Sequence, residues 1–172
     1  MMDALDACAR AEYIGETWRV ARKGRDPLQG SASFSRWCDG TFDVLYMSLD
    51  RDGSIAEVDA LAKLQPVFPS KIVSLLYRLE VNTTRTLRLA DMNALSKLGV
   101  DTTRYRERNY EKTAAIAETA LFLGFDGLMA PSARYARNNL VLFTERLSPE
   151  DIRLAPQKPE IVDWAAWRNS KQ

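Results

Sequence analysis

The stretch Ser35–Leu64, SRWCDGTFDVLYMSLDRDGSIAEVDALAKL, decides the fold. It reads as the end of a small-residue loop, a short apolar strand, a turn and a helix. Val44 to Ser48 (VLYMS) is predicted as a buried strand. Ile55 to Leu64 is predicted as a helix with Ile55, Val58, Leu61 and Ala62 on its core side, stopped by Pro66 and Pro69. Asp50 to Ser54 is the turn between them. Three polar residues mark the stretch: Arg36 at the loop end, Tyr46 in the strand and Glu57 near the helix start. Ser54 and Glu57 have capping-box spacing, which would leave the glutamate on the surface, bonding the helix N-terminus. The competing reading turns Glu57 inward to share a site with Arg36 and Tyr46.

The flanks supply the rest of a sheet. Residues 3–12 read as one short helix or as a loosely held N-terminal segment. Glu16 to Arg22 (ETWRVAR) alternates as a strand does, with Trp18 and Val20 on one face and Arg19 and Ala21 on the other. Gly24 to Ser35 is a loop whose glycines and serines let backbone amides approach a phosphate. Downstream, Lys71 to Thr83 is a strand with Val73, Leu75, Tyr77, Leu79 and Val81 on one face, and Thr86 to Ala90 is a second strand or its continuation. Asp91 to Leu98 is a helix capped by Asp91 and closed by Gly99. Arg104 to Tyr110 (RYRERNY) reads as a solvated loop and first helical turn, or more sharply as a lid or partner contact. Glu111 to Leu123 is the clearest helix, ended by Gly124. Strands at Gly127 to Ala130 and Leu140 to Phe143 flank a polar loop that holds Pro131, Ser132, Asn138 and Asn139. Asp151 to Ala155 is an edge strand, and the tail 156–172 closes on Trp164 and Trp167.

Strands and helices are mixed without regular βαβ alternation, and no GxGxxG follows the first strand. A doubly wound dinucleotide fold is therefore disfavoured. The expectation is one α+β domain over residues 1–172, with a mixed or antiparallel central sheet flanked by helices. Its core spans 16–155, after an N-terminal segment 1–14.

Composition narrows the chemistry. The 172 residues include 24 basic and 23 acidic side chains, which argues against a protein that grips nucleic acid through phosphates. There is no histidine, so Ser-His-Asp and Cys-His catalysis and imidazole-ligated zinc are excluded, and no metal site is expected. Acid–base work falls to carboxylates, tyrosine or lysine. Cys8 and Cys38 are far apart and read as free thiols. The N-terminal MMDALDACARAEYIGE has no apolar run, and no segment reaches a membrane span, so a cytoplasmic protein is expected. Arginines to fork a diphosphate, a ring to face a pyridinium and one carboxylate to meet positive charge on a ribose suit cleavage of an N-glycosidic bond.

Several pieces, taken in order, resemble the RES-domain toxins, which pair with Xre-type antitoxins in bacterial type II toxin–antitoxin systems. They are Trp18–Arg19, DPLQGSASFSRW ending in Arg36 and Trp37, LYMS with Tyr46, AEV with Glu57, GLMAPSAR with Ser132, and NNLVLF with Asn139. The resemblance implies a fold like the diphtheria-toxin type of ADP-ribosyltransferase, and NAD as substrate. It implies Glu57, Arg19 and Tyr46 as catalytic residues, and Arg19, Arg36, Tyr46, Ser132 and Asn139 as the NAD-binding set. It also implies a small helical antitoxin as partner. Cys38 stands where many members have asparagine. Ile55, two residues before Glu57, leaves no Glu-x-Glu pair, which argues against arginine-directed protein ADP-ribosylation. The acceptor stays open between a host protein, phosphate and water. The alternative class is a nucleotide-binding module without turnover.

Overall fold

β-Branched and aromatic residues in alternation favour long paired strands, and two such strands frame this chain. A computed structural model describes residues 1–67 and 71–170; Pro69, read above as a helix stop, and the last two residues of the tail lie outside them. The elements are α1 (Met2–Asp6), β1 (Arg10–Arg22), β2 (Val44–Ser48), α2 (Arg51–Ala62), β3 (Ser74–Arg88), α3 (Met92–Lys97), α4 (Glu111–Phe122), β4 (Gly127–Pro131), β5 (Asn138–Phe143), β6 (Ile152–Leu154), β7 (Glu160–Ile161) and α5 (Trp164–Asn169). The mixed α+β architecture is the one expected.

β1 and β3 pair antiparallel from Arg10↔Leu87 to Arg22↔Ser74. That pairing corrects two expectations. β1 starts at Arg10 rather than Glu16, so the first helix is confined to Met2–Asp6. Residues 10–15 carry little alternation of their own and are held as strand by β3. The two segments read at 71–83 and 86–90 are one continuous strand. Val73 lies before it and is exposed, whereas Leu79 and Val81 are buried as expected.

The other edge of β3 pairs with β7 at Leu75–Leu76, with β6 at Leu79–Val81 and, in parallel, with β4 at Thr86–Arg88. A parallel neighbour needs a crossover, which α3 and α4 supply. β4 pairs antiparallel with β5, and β5 with β2. β2 returns to β1 at a single register pair, Trp18↔Ser48, which closes the strands on themselves. β5 is buried on both faces. Val141 and Phe143 enter the core under α4 with Trp37, Ile116 and Phe125, while Leu140 and Leu142 enter a second core with Leu45, Met47 and Leu79. This is why NNLVLF reads as an unbroken apolar run rather than an alternation. A third cluster, built on Ile55, Leu76 and Val162, packs Trp18, Val20, Trp164 and Trp167 and anchors α2 and α5.

Candidate active site

The position of Glu57 follows from where α2 begins. The Asp50 side chain accepts a hydrogen bond from the Gly53 backbone N–H at 3.0 Å and caps the helix. The helix therefore starts a turn earlier than the Ser54–Glu57 spacing suggests. A Cβ on Gly53 would come within 2.5 Å of the Ser48 hydroxyl, so only glycine lets this first turn lie against the end of β2. Glu57 thus sits inside the helix, and the surface capping-box reading does not hold. Of the apolar face expected on α2, Ile55 is buried, but Leu61 is exposed and shares the cleft wall with Val58.

The Glu57 carboxylate turns inward. Its Oε1 accepts from the Ser132 hydroxyl at 2.6 Å and from Asn139 Nδ2 at 2.7 Å. Ser132 follows the last residue of β4. Its Oγ accepts from the backbone N–H groups of Arg134 at 3.0 Å and Tyr135 at 3.1 Å, which leaves its proton directed at Glu57. Asn139 lies on β5 opposite Ser48 and Ala130 and is buried. Both bonds to the carboxylate are charge-assisted, the stronger class of hydrogen bond. No hydrogen bond among the described residues reaches the other carboxylate oxygen. Tyr46, on β2, is surrounded so that burial, and next the Glu57 charge, push its phenol well above its ordinary pKa, with Arg36 pulling the other way. Tyr46 is therefore a neutral phenol and not a base.

Arg19 and Arg36 supply the positive groups on the cleft wall. Arg19 follows Trp18, the residue at which β1 meets β2. Its Nη2 donates to the Gln29 carbonyl at 3.0 Å, while Nη1 is buried with no partner among the described residues. Burial, and next the charge of Arg25, lower the Arg19 pKa to about 10. Arg36 is only 7% exposed. Its guanidinium lies 4.3 Å from the ring centre of Tyr105 and 5.0 Å from that of Tyr110, and Nη2 donates to the Glu107 carbonyl at 3.2 Å. Among the described residues neither arginine has a carboxylate partner.

These groups line a cleft of about 400 Å³, within the usual range for small-molecule sites. It opens where β1 and β2 part beyond their single register pair, and the loop from Ser31 to Arg36 forms one rim. Arg19, Arg36, Tyr46 and Glu57 all line it. Ser132 and Asn139, expected on the NAD-binding wall, stand behind the cleft lining: both bond the Glu57 carboxylate, and Asn139 also bonds Tyr46. Cys38 is buried, donates to the Phe42 carbonyl at 3.1 Å and accepts from the Gly40 N–H at 3.3 Å, so its thiol closes the turn beyond Trp37. Sequence reasoning missed the partners of Arg36. RYRERNY is not simply a solvated loop: Tyr105 is 3% exposed, and Tyr110 and Arg108 line the cleft. The signal was the tyrosines among the charges, but the arginine they cage lies far away in sequence. Arg134, also on the wall, gave no signal of its own.

Fold and site together define a single α+β domain whose cleft presents one carboxylate, Glu57, and two arginines without an ion pair among the described residues. A family model described as the RES domain matches residues 16–164, and the chain belongs to the RES-domain family. Among solved structures, the chain is similar to one in the crystal structure of the M. tuberculosis MbcT–MbcA toxin–antitoxin complex. The two share 19% identity with a TM-score of 0.84, over 98% of this chain and 94% of that one. No curated protein sequence matches. Among the described residues, no helix is long and apolar enough to cross a membrane.

Proposed function

We propose that this chain is the toxin of a toxin–antitoxin pair and that its cleft takes NAD as substrate, breaking the bond between nicotinamide and ribose C1′. One observation carries the reading. The Glu57 carboxylate is fixed by Ser132 and Asn139 on the wall of a cleft that also presents Arg19 and Arg36, neither in an ion pair among the described residues. A buried guanidinium nitrogen without a partner is costly unless an anion completes it, and a diphosphate fits that need. Tyr46, kept neutral, offers its ring to the flat pyridinium.

In the reaction the C1′–N bond breaks and its electron pair goes to the pyridinium nitrogen, so nicotinamide leaves neutral and needs no strong acid. The positive charge that develops on the ribose is met by Glu57, whose free oxygen faces it without reorganisation. The acceptor's nucleophilic oxygen or nitrogen then bonds to C1′ and releases its proton. That acceptor is a host-protein side chain, phosphate or water. NAD loss, or modification of the target, arrests growth. The family and the matched complex support a silencing partner, taken to be a small helical antitoxin of the Xre type.

Incubation of the purified chain with adenine-labelled NAD, with and without phosphate and host lysate, tests the reading. Label on a discrete protein that depends on Glu57 makes it a mono-ADP-ribosyltransferase. Loss of NAD without protein label makes it a phosphorylase or hydrolase, and phosphate dependence separates those two. No turnover in any condition favours a binding module. Co-purification with the product of a neighbouring gene tests the partner.

A further inference from the structure

Arg36 and Glu57 occupy different elements, and one side chain joins their supports. Tyr105 lies in the segment between α3 and α4 and is almost wholly buried. Its ring faces the Arg36 guanidinium at 4.3 Å, and its hydroxyl donates to the Pro131 carbonyl at 2.8 Å. Pro131 is the last residue of β4, and Ser132, next in the chain, donates to Glu57 at 2.6 Å. An unbroken line of contacts therefore runs from the guanidinium through the phenol and the strand end to the carboxylate. A phenylalanine would keep the first contact and lose the second, whereas an aliphatic residue would lose both. A buried hydroxyl needs a partner, and here the partner is the turn that aims Ser132.

We propose that Tyr105 is a positioning residue that fixes the anion-holding Arg36 relative to the Glu57 carboxylate; the inference rests on the NAD-cleaving reading. The two halves of the side chain then have separable effects. The hydroxyl acts through Ser132 on Glu57, hence on kcat. The ring acts on Arg36, hence on KM.

Steady-state NAD cleavage by Tyr105→Phe and Tyr105→Leu tests this. Tyr105→Phe is expected to lose about tenfold in kcat with KM nearly unchanged, the scale of a small misplacement of a catalytic group. Tyr105→Leu is expected to raise KM about tenfold in addition, as loss of a desolvated cation–ring contact would. A residue that merely supports folding would lower the active fraction in both variants, leave KM alone in Tyr105→Leu as well, and cost kcat nothing once rates are corrected for the active fraction. On a Ser132→Ala background, Tyr105→Phe is expected to cause little further loss. Unchanged kinetics in Tyr105→Phe, or a full additional loss on that background, would overturn the proposal. If the unmodified chain does not cleave NAD, the functional reading fails by itself. The same two-residue cycle is then read by urea unfolding, where coupling between Tyr105→Phe and Ser132→Ala supports the strut and strict additivity removes it.

Discussion

The carboxylate of the cleft and its arginines are held in opposite ways. At the carboxylate, Glu57 Oε1 receives two short hydrogen bonds, and the Ser132 hydroxyl that supplies one of them is itself held by two backbone amides. At the arginines, Arg19 leaves one buried guanidinium nitrogen unbonded, and Arg36 is gripped by rings and one carbonyl instead of an acid. Neither set is fully bonded: one Glu57 oxygen accepts no hydrogen bond among the described residues, and Asn139 Oδ1, like Arg19 Nη1, is buried with no partner among them.

If the division is right, substitutions at the carboxylate change turnover and at the arginines change binding. The largest effect is expected from Glu57→Gln, which keeps the shape and removes the charge. Nicotinamide release should fall by about 10³-fold, the scale of losing one preorganised electrostatic group. Next comes Arg36→Ala, where KM for NAD is expected to rise about thirtyfold with a smaller change in kcat, as loss of charged hydrogen bonds to a phosphate would cause. Arg36→Lys should recover little, because an ammonium does not stack between two tyrosine rings as a planar guanidinium does. A kcat loss equal to the KM rise would blur the two into one.

Asn139→Ala is expected to lower kcat about tenfold while KM stays near its original value, since it removes one of two supports of the carboxylate. The smallest effect comes from pH. Arg19 carries a pKa lowered to about 10, so the free protein loses that charge as pH rises through this value. A bound diphosphate holds the proton, so NAD affinity should fall about twofold by pH 10, where half of Arg19 is neutral, and the drop should be absent in Arg19→Gln. The effect on stability has the opposite sign. The unfolded chain binds more protons at Arg19 between about 10 and its ordinary value, so this group's contribution to stability rises with pH across that window and is missing below it.

Much of this asymmetry was legible in the sequence, though unevenly. VLYMS is the strand Val44–Ser48 to the residue, and α4 and the Asp91 cap fall where periodicity and capping placed them. The start of α2 was misread because two caps compete within DRDGSIAE. Asp50 prevails, since Gly53 fits against Ser48 and draws the first turn onto β2, a tertiary fact that propensity does not carry. The extension of β1 was hidden for the same reason, as β3 and not local alternation holds it. Glu57 as an inward carboxylate was legible only as one of two readings from spacing, and the order of motifs around it weighed toward the inward one. The cage around Arg36 was not legible. Tyr105 and Tyr110 sit in a charged segment without periodicity, and nothing local distinguishes a solvated tyrosine from one that buries its ring beneath a distant guanidinium.

One measurement bears most directly on the division of labour: NAD binding and nicotinamide release by the unmodified chain and by Glu57→Gln, taken on the same samples. The expected result is that Glu57→Gln binds NAD about as well as the unmodified chain and releases almost no nicotinamide. Release at an undiminished rate from Glu57→Gln would contradict the assignment of Glu57 as the group that meets the reacting ribose.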